Sequence, residues 1–341
     1  MSVPGYTVSR ASRASQIAAV LGALILIVLI AAPWWAGRAD LRLMGEIFLY
    51  LALASLWNLM AGYAGLVSVG QQAFVGFGGY MLFALTIFGG LHPLLAIAGA
   101  GILGAVVSVP VAALIFRLRG AYFAIGTWVI AEVFRLIFAQ ISALGGGSGS
   151  SLPVGIVRSL AGSRSARESL SYWMALGAAV LVIASVYLFL RSRRGLALTA
   201  IRDNELAAAS LGIDIWRTKF VVYVVTGALT AMIGALIFLQ KLRISPDAAF
   251  SVNDWTAFVI FIVVIGGIGT IEGPIIGTLV FFALRETLAD LRTTYLIVLG
   301  VVAIVVMLRA PKGLWGFVRE RFDLQLFPLG YRVTSDDTPK G

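Results

Sequence analysis

The chain has 341 residues, of which 60% are hydrophobic and only 12% charged, with a mean hydropathy of +0.97. Soluble domains carry about 25% charged residues, so the composition excludes a soluble protein built on one core and describes an integral membrane protein. Cysteine is absent and there is a single His, which excludes disulfides, thiolate chemistry and His-rich metal sites; the net charge of +10 sits at the ends of apolar runs, where it reports membrane topology rather than a nucleic-acid surface.

A membrane-spanning helix needs about 20 mainly apolar residues. Ten segments approach that length: 16–36, 43–61, 72–90, 93–116, 120–140, 169–190, 217–240, 254–270, 273–290 and 293–309. The expected fold class is all-α, a polytopic membrane protein of about ten transmembrane helices with glycine-interrupted segments. The first segment has no charge between Arg13 and Arg38, longer than the apolar core of about 7–15 residues in a signal peptide. It reads as a retained span. The eighth and ninth segments are separated only by Gly266, Gly267, Gly269, Gly273 and Pro274.

An even number of crossings puts both ends of the chain on one side, where Lys and Arg are about twice as frequent as opposite. The positive-inside rule then makes residues 1–15 and 311–341 cytoplasmic tails around a permease-like domain at 16–310. Residues 141–168, with "ALGGGSGSSLPVG", become an external Gly/Ser-rich loop, and 191–216 a cytoplasmic segment. The last residues, "TSDDTPKG", are expected to be disordered.

Two stretches break helical periodicity, Gly62 to Gly79 and Gly266 to Gly277. Paired Gly/Pro interruptions point either to a substrate path, because a broken helix exposes backbone polar groups, or to close helix packing through small residues. Asn58, Ser68, Gln71 and Gln72 in the first block, and Gly266, Gly269 and Glu272 in the second, are the candidate path residues. Glu132 and Arg135, three apart on one helix face, form either a structural pair or part of that path. Arg285 and Glu286 point in different directions and are expected to meet other groups, while Asp254 reads as a helix cap. His92, before Pro93 at an external turn, has no second His and no carboxylate cluster beside it, so neither a metal site nor acid–base catalysis is expected there.

The cytoplasmic segment, "RSRRGLALTAIRDNELAAASLGIDIW", is far longer than a tight connection requires. Asp203 or Asn204 can cap a short helix within it, Ala207, Ala208 and Ala209 are strong helix formers with little bulk, and Gly212 ends or bends it. The residues allow either a docking helix for another protein or an interfacial helix lying on headgroups. The segment resembles the coupling loop of bacterial ABC-importer permeases, in which Ala-Ala-x-x-x-Gly docks on an ATP-hydrolysing subunit; Ala207, Ala208 and Gly212 match, while the acidic residue is Glu205 rather than its immediate neighbour Leu206.

Six blocks in order, "NLMAGYAGLVSVGQQAFVGFGGYM", "RLRGAYFAIGTWVIAEVFRLIF", "RRGLALTAIRDNELAAASLGIDIWRTKF", "ISPDAAF", "VVIGGIGTIEGPIIG" and "LRAPKGLWG", resemble the LivM-type permease of branched-chain amino acid ABC importers. The resemblance implies a LivH-like second permease, two ATP-binding subunits and a periplasmic or lipid-anchored substrate-binding protein as partners, in the lipid of a bacterial cytoplasmic membrane. It also implies ATPase coupling through Arg202, Glu205, Ala207, Ala208 and Gly212. No cofactor is expected in this chain, with ATP and Mg held by the partner subunits. None of the four Lys follows a Gly, so the phosphate cradle G-x-x-x-x-G-K-[ST] is absent and the chain is not expected to be an enzyme. Related importers carry urea, amides or small aromatic acids, which stay open as substrates. So do an ion-gradient-driven transporter or channel using Glu132 or Glu46, which leaves the cytoplasmic segment idle, and a membrane scaffold, which ignores the glycine blocks.

Overall fold

The computed structural model describes residues 6–9, 13–288, 294–310, 312–322, 326–328 and 332–335. Arg10, Arg292, Lys340 and most of "TSDDTPKG" lie outside them. All ten segments expected from the sequence coincide with helices: α1 (Arg13–Ile30), α2 (Arg38–Asn58), α3 (Gln71–Ile87), α4 (Pro93–Ile115), α5 (Ala121–Ala139), then, after a short α6 (Val154–Leu160), α7 (Arg164–Arg191). α8 (Arg193–Asp203) and α9 (Glu205–Ser210) precede α10 (Ile215–Lys241), a single turn α11 (Pro246–Ala249), α12 (Phe258–Gly266), α13 (Glu272–Thr287), α14 (Thr294–Arg309) and α15 (Gly313–Phe322). Two small antiparallel pairs join distant stretches, β1 (Tyr6–Ser9) with β4 (Arg332–Ser335) and β2 (Ser150–Ser151) with β3 (Arg243–Ile244).

Among the described residues eight helical runs are long and apolar enough to cross a membrane. α3 and α13, with 17 and 16 residues, rise only about 24–26 Å at 1.5 Å per residue. Each follows a glycine break that takes up part of the depth. Helix starts are fixed by side chains where sequence supplies them: Ser163 caps α7, Ser192 caps α8, Asn204 caps α9 and Asp214 caps α10. His92 caps α4, its Nδ1 accepting from Leu94 N at 3.4 Å. Asp254, expected as a cap, lies instead within a π turn at Asn253–Ala257, and the Ser251 hydroxyl accepts from its N–H. Serine three residues earlier already satisfies that donor.

The core is a wedge of α2, α3, α4, α7, α10, α12 and α13, with α1 pinned outside it where Tyr172 and Trp173 donate to the carbonyls of Leu29 and Ile30. Close approach holds the middle. A Cβ on Gly78 would stand 1.8 Å from Ala231 O, and one on Gly234 2.1 Å from Val75 O, so α3 and α10 touch backbone to backbone. The segment expected as a tail from residue 311 includes α15, whose Gly313, Trp315 and Gly316 are buried against α12 and α13.

One end of the bundle carries α8, α9 and α15. The opposite end carries the 141–168 connection, where β2 pairs with β3 and Glu168 gathers Arg38, Arg42 and Arg164. These are groups the charge count assigned to one side.

Candidate functional site

Four clusters of polar chemistry stand out in this otherwise apolar molecule. The first is the α8–α9 segment. Leu198 and Ile201 bury the inner face of α8, and Arg202 at its end lies over the Tyr63 ring at 5.8 Å from the centroid and pairs with Asp203 at 3.4 Å. Asn204 Oδ1 accepts from Ala207 N at 3.0 Å to start α9, and Glu205 pairs with Lys219 on α10. Ala208 is buried against the bundle, whereas Arg202, Glu205, Ala207 and Gly212 are exposed. Gly212 has φ of +80° and open space where a Cβ would stand. Beside it Leu206 and Leu211 are 84% and 78% exposed at the tip of α9. Covering such side chains is worth about 2 kcal/mol each, which makes the tip adhesive.

The second cluster lies directly behind α9. The end of α2 unwinds into a π turn at Leu59–Tyr63, and the turn between α12 and α13 folds onto it through Gly267 (φ +134°) and Gly269 (φ +76°). Asn58 bridges the two: its Oδ1 accepts from Gly269 N at 2.8 Å and its Nδ2 donates to Thr270 O at 2.7 Å. A Cβ on Gly269 would meet Arg202 Nη1 at 3.5 Å. Arg202, Tyr63, Asn58 and Gly269 therefore form one continuous contact from the α8–α9 segment into the bundle. Gly266 packs against Gly273, and Glu272, buried, accepts from the N–H groups of Leu326 and Phe327 at 3.2 and 3.1 Å.

From this joint the chain turns back into the bundle as an extended stretch over 65–70, the physical content of the first glycine block. Side chains bond this stretch and the start of α3. Trp57 Nε1 donates to Ser68 O at 2.8 Å, Ser68 Oγ accepts from Gly70 N at 3.1 Å, Gln71 Nε2 donates to Leu53 O at 3.1 Å, and Thr256 donates to Gln72 Oε1. Ser68, Gln71 and Gln72 are all buried, and none of them lines either of the two cavities described below or in the apolar interior. Of the three only Ser68 bonds this stretch; Gln71 ties α3 to α2 and Gln72 ties it to Thr256, while Gln71 Oε1 is buried without a hydrogen-bond partner among the described residues.

The third cluster sits on the outer face of α5. Arg135 binds Glu132 at 2.6 Å and Asp247, from α11, at 2.9 Å. Glu132 and Asp247 are 47% and 84% exposed, on a face that also presents Trp128, Val129, Val133 and Leu136. Asp247 joins a pair that sequence spacing could place on one helix but could not connect to a residue 112 positions away.

The fourth is a cavity of about 730 Å³ at the end opposite α9, between α2, α7, α10, α12 and α13. Arg285 binds Glu46 with two bonds of 2.7 and 2.8 Å on its wall, so Arg285 meets a distant group as its place in the span suggests. Lys241 lies over the Trp255 ring at 4.6 Å, next to Asp254. A smaller cavity of about 330 Å³, lined chiefly by aliphatic residues such as Leu56, Val186 and Val222, lies between α2, α7 and α10. Sequence reasoning missed Lys241 because its position at the end of a span reads as a topology charge.

Among the described residues no group of three His, Asp or Glu could hold a metal. No solved structure matches the chain. The LivM permease proteins of the high-affinity branched-chain amino acid transport systems of Escherichia coli K12 and Salmonella typhimurium are each 27% identical to it, over 88% of this chain and 76% of their own. A probable LivM protein of Methanocaldococcus jannaschii is 30% identical over 57% of this chain and 56% of its own. The family model described as "Branched-chain amino acid transport system / permease component" matches residues 41–307, from the start of α2 to the last turns of α14. A multi-pass helical bundle with paired glycine breaks, carrying the six sequence blocks in order, thus belongs to the family of branched-chain amino acid transport permease components.

Proposed function

We propose that the chain is a membrane-spanning permease subunit of an ABC importer that moves branched-chain or other hydrophobic amino acids inward by alternating access, driven by separate ATPase subunits. The observation that carries this reading is the free tip of α9, with Leu206, Ala207, Leu211 and Gly212 exposed and Arg202 in contact with the Tyr63–Asn58–Gly269 joint. A partner that seats on this tip and shifts it displaces a turn joining α12 and α13. ATP and Mg belong to that partner, since this chain has no phosphate cradle.

The α5 face supports a second, LivH-like permease as neighbour. Charges 11 and 14 residues into a spanning helix, exposed on the outside of one chain, are costly against lipid and acceptable against another protein or an aqueous path. A probable LivH permease protein of Methanocaldococcus jannaschii is itself 26% identical to this chain over 40% of its length. The positive-inside count makes the α9 end and both chain ends cytoplasmic, in the inner membrane of a bacterium, and leaves the 141–168 end for a substrate-binding protein. The bonding of Glu132 to Arg135 and of Glu46 to Arg285 speaks against either carboxylate as a proton carrier.

The test is affinity purification of the tagged chain in mild detergent with mass spectrometry of its companions and an ATPase assay. Recovery of a second permease and ATPase subunits is expected. A homomeric chain without ATPase activity that drives uptake from a proton gradient in liposomes would overturn the reading.

A further inference from the structure

The 730 Å³ cavity is within the range of about 300–1,000 Å³ of small-molecule sites, several times the volume of one amino acid. Its charges are mostly spoken for: Arg285 holds Glu46, and Glu168 gathers Arg42 and Arg164. Three charged groups of the lining make no ion pair among the described residues, the Arg167 guanidinium, the Lys241 ammonium and the Asp254 carboxylate, so Asp254 is the one carboxylate there without a cation. Lys241 Nζ lies 4.6 Å from the centroid of the Trp255 ring, the residue that follows Asp254. The ammonium rests on that ring, with the Phe238 ring 5.7 Å away on its own helix, rather than in an ion pair with a carboxylate. Opposite charges kept apart in a partly enclosed space are each left with a charged hydrogen bond to make, and a ligand carrying both signs makes both.

We propose that this cavity binds the free zwitterion of an α-amino acid, Lys241 taking the carboxylate and Asp254 the ammonium, with the side chain against the apolar wall of Leu49, Tyr172 and Phe258. The proposal rests on the transport reading and deepens it, by placing a substrate site inside this chain at the end away from α9. It also states what the site rejects. A simple amide, a monocarboxylate or urea offers at most one charge and leaves Lys241 or Asp254 unmatched.

The experiment uses the chain purified with whatever partners accompany it, without added binding protein, in nanodiscs of phosphatidylglycerol, so that no zwitterionic headgroup competes. The probes are tritiated L-leucine, leucinamide, which lacks the carboxylate, and 4-methylpentanoate, which lacks the ammonium. Saturable leucine binding is expected, weakened about tenfold or more by Lys241→Gln and by Asp254→Asn, as for loss of one charged hydrogen bond. Leucinamide is expected to bind the unaltered chain about tenfold more weakly than leucine, and Lys241→Gln is expected to erase that difference, a pairing that a misfolded variant does not produce. Lys241→Arg is expected to retain binding. Leucine affinity unchanged from the unaltered chain in either charge-deleted variant, leucinamide binding as tightly as leucine, or a site occupied by co-purified phosphatidylethanolamine with no leucine binding would each overturn the site. Those results leave the permease reading to the purification of ATPase partners, which fails or succeeds without reference to Lys241 and Asp254.

Discussion

Replacing Asn58 by Leu keeps nearly the same shape and removes both bonds of the joint behind α9. Gly269 N–H and Thr270 C=O, at 2.8 and 2.7 Å from the Asn58 amide, then face a methyl group in a region where Asn58 itself is buried. Each backbone group left unpaired costs about 1–3 kcal/mol, so the substitution is expected to destabilise the joint by about 2–5 kcal/mol. On the scaling of mid-sized soluble domains, about 2–4 °C per kcal/mol, the melting temperature of the detergent-solubilised protein falls by about 4–20 °C. Asn58→Asp retains the acceptor for Gly269 N–H but sets a second carboxylate oxygen against the Thr270 carbonyl oxygen at a buried position, so a drop at least as large is expected. The assay is a thermal melt of the three proteins side by side, followed by the ratio of transport to ATP hydrolysis in the assembled complex. The ratio is expected to fall in Asn58→Leu even at temperatures where the protein is folded. A melting temperature of either variant within about 2 °C of the unaltered protein, by the same scaling, would refute the role assigned to the two bonds.

The other perturbations test separate parts of the structure. Ala207→Arg puts a long charged side chain on the exposed tip of α9, and transport is expected to be abolished while membrane insertion, read by protease protection, stays normal; undiminished uptake from a correctly assembled variant would sink the docking of α9. Gly234→Ala drives a Cβ to 2.1 Å from Val75 O, and overpacking of this kind costs about 1–3 kcal/mol or more, so a lower yield of monodisperse protein in size-exclusion chromatography is expected. Glu46→Gln leaves Arg285 without its two-bond partner. Their side chains are 44% and 26% exposed, so the loss is expected to be about 1–2 kcal/mol rather than the 3–5 of a fully buried pair, and Glu46→Gln with Arg285→Gln together should recover part of it in the same melt.

Much of this architecture is legible in the residues. Runs of about 20 apolar side chains admit few alternatives in a membrane, and all ten expected segments are helices. The short helix in the segment before α10 begins at Asn204 and is ended at Gly212, as capping chemistry and a positive φ require. What sequence could not supply is direction. Spacing puts Glu132 and Arg135 on one face of α5, but which face looks outward is decided by where α3 and α4 pack, and Asp247 arrives from a turn far along the chain. Ser68, Gln71 and Gln72 are polar residues in a spanning region, and spacing could not name their partners, which come from Leu53, Gly70 and Thr256. Lys241 and Asp254 carry ordinary terminal-helix chemistry until the wall of a cavity is known.

The backbone contacts between α3 and α10 have a mechanical consequence. A helix rises about 1.5 Å per residue, and with Gly78 seated on Ala231 O and Gly234 on Val75 O, sliding one helix along the other by a single step would bring a neighbouring side chain into the space of a carbonyl oxygen. The same interlock joins α12 to α13, where Gly277 is seated on Ile262 O. These pairs have no slack along their length, so they act as struts: each moves as one piece. Any opening and closing of the bundle has to be accommodated where struts meet over side chains rather than over backbone, at the cavity beneath Arg285 and at the amide of Asn58.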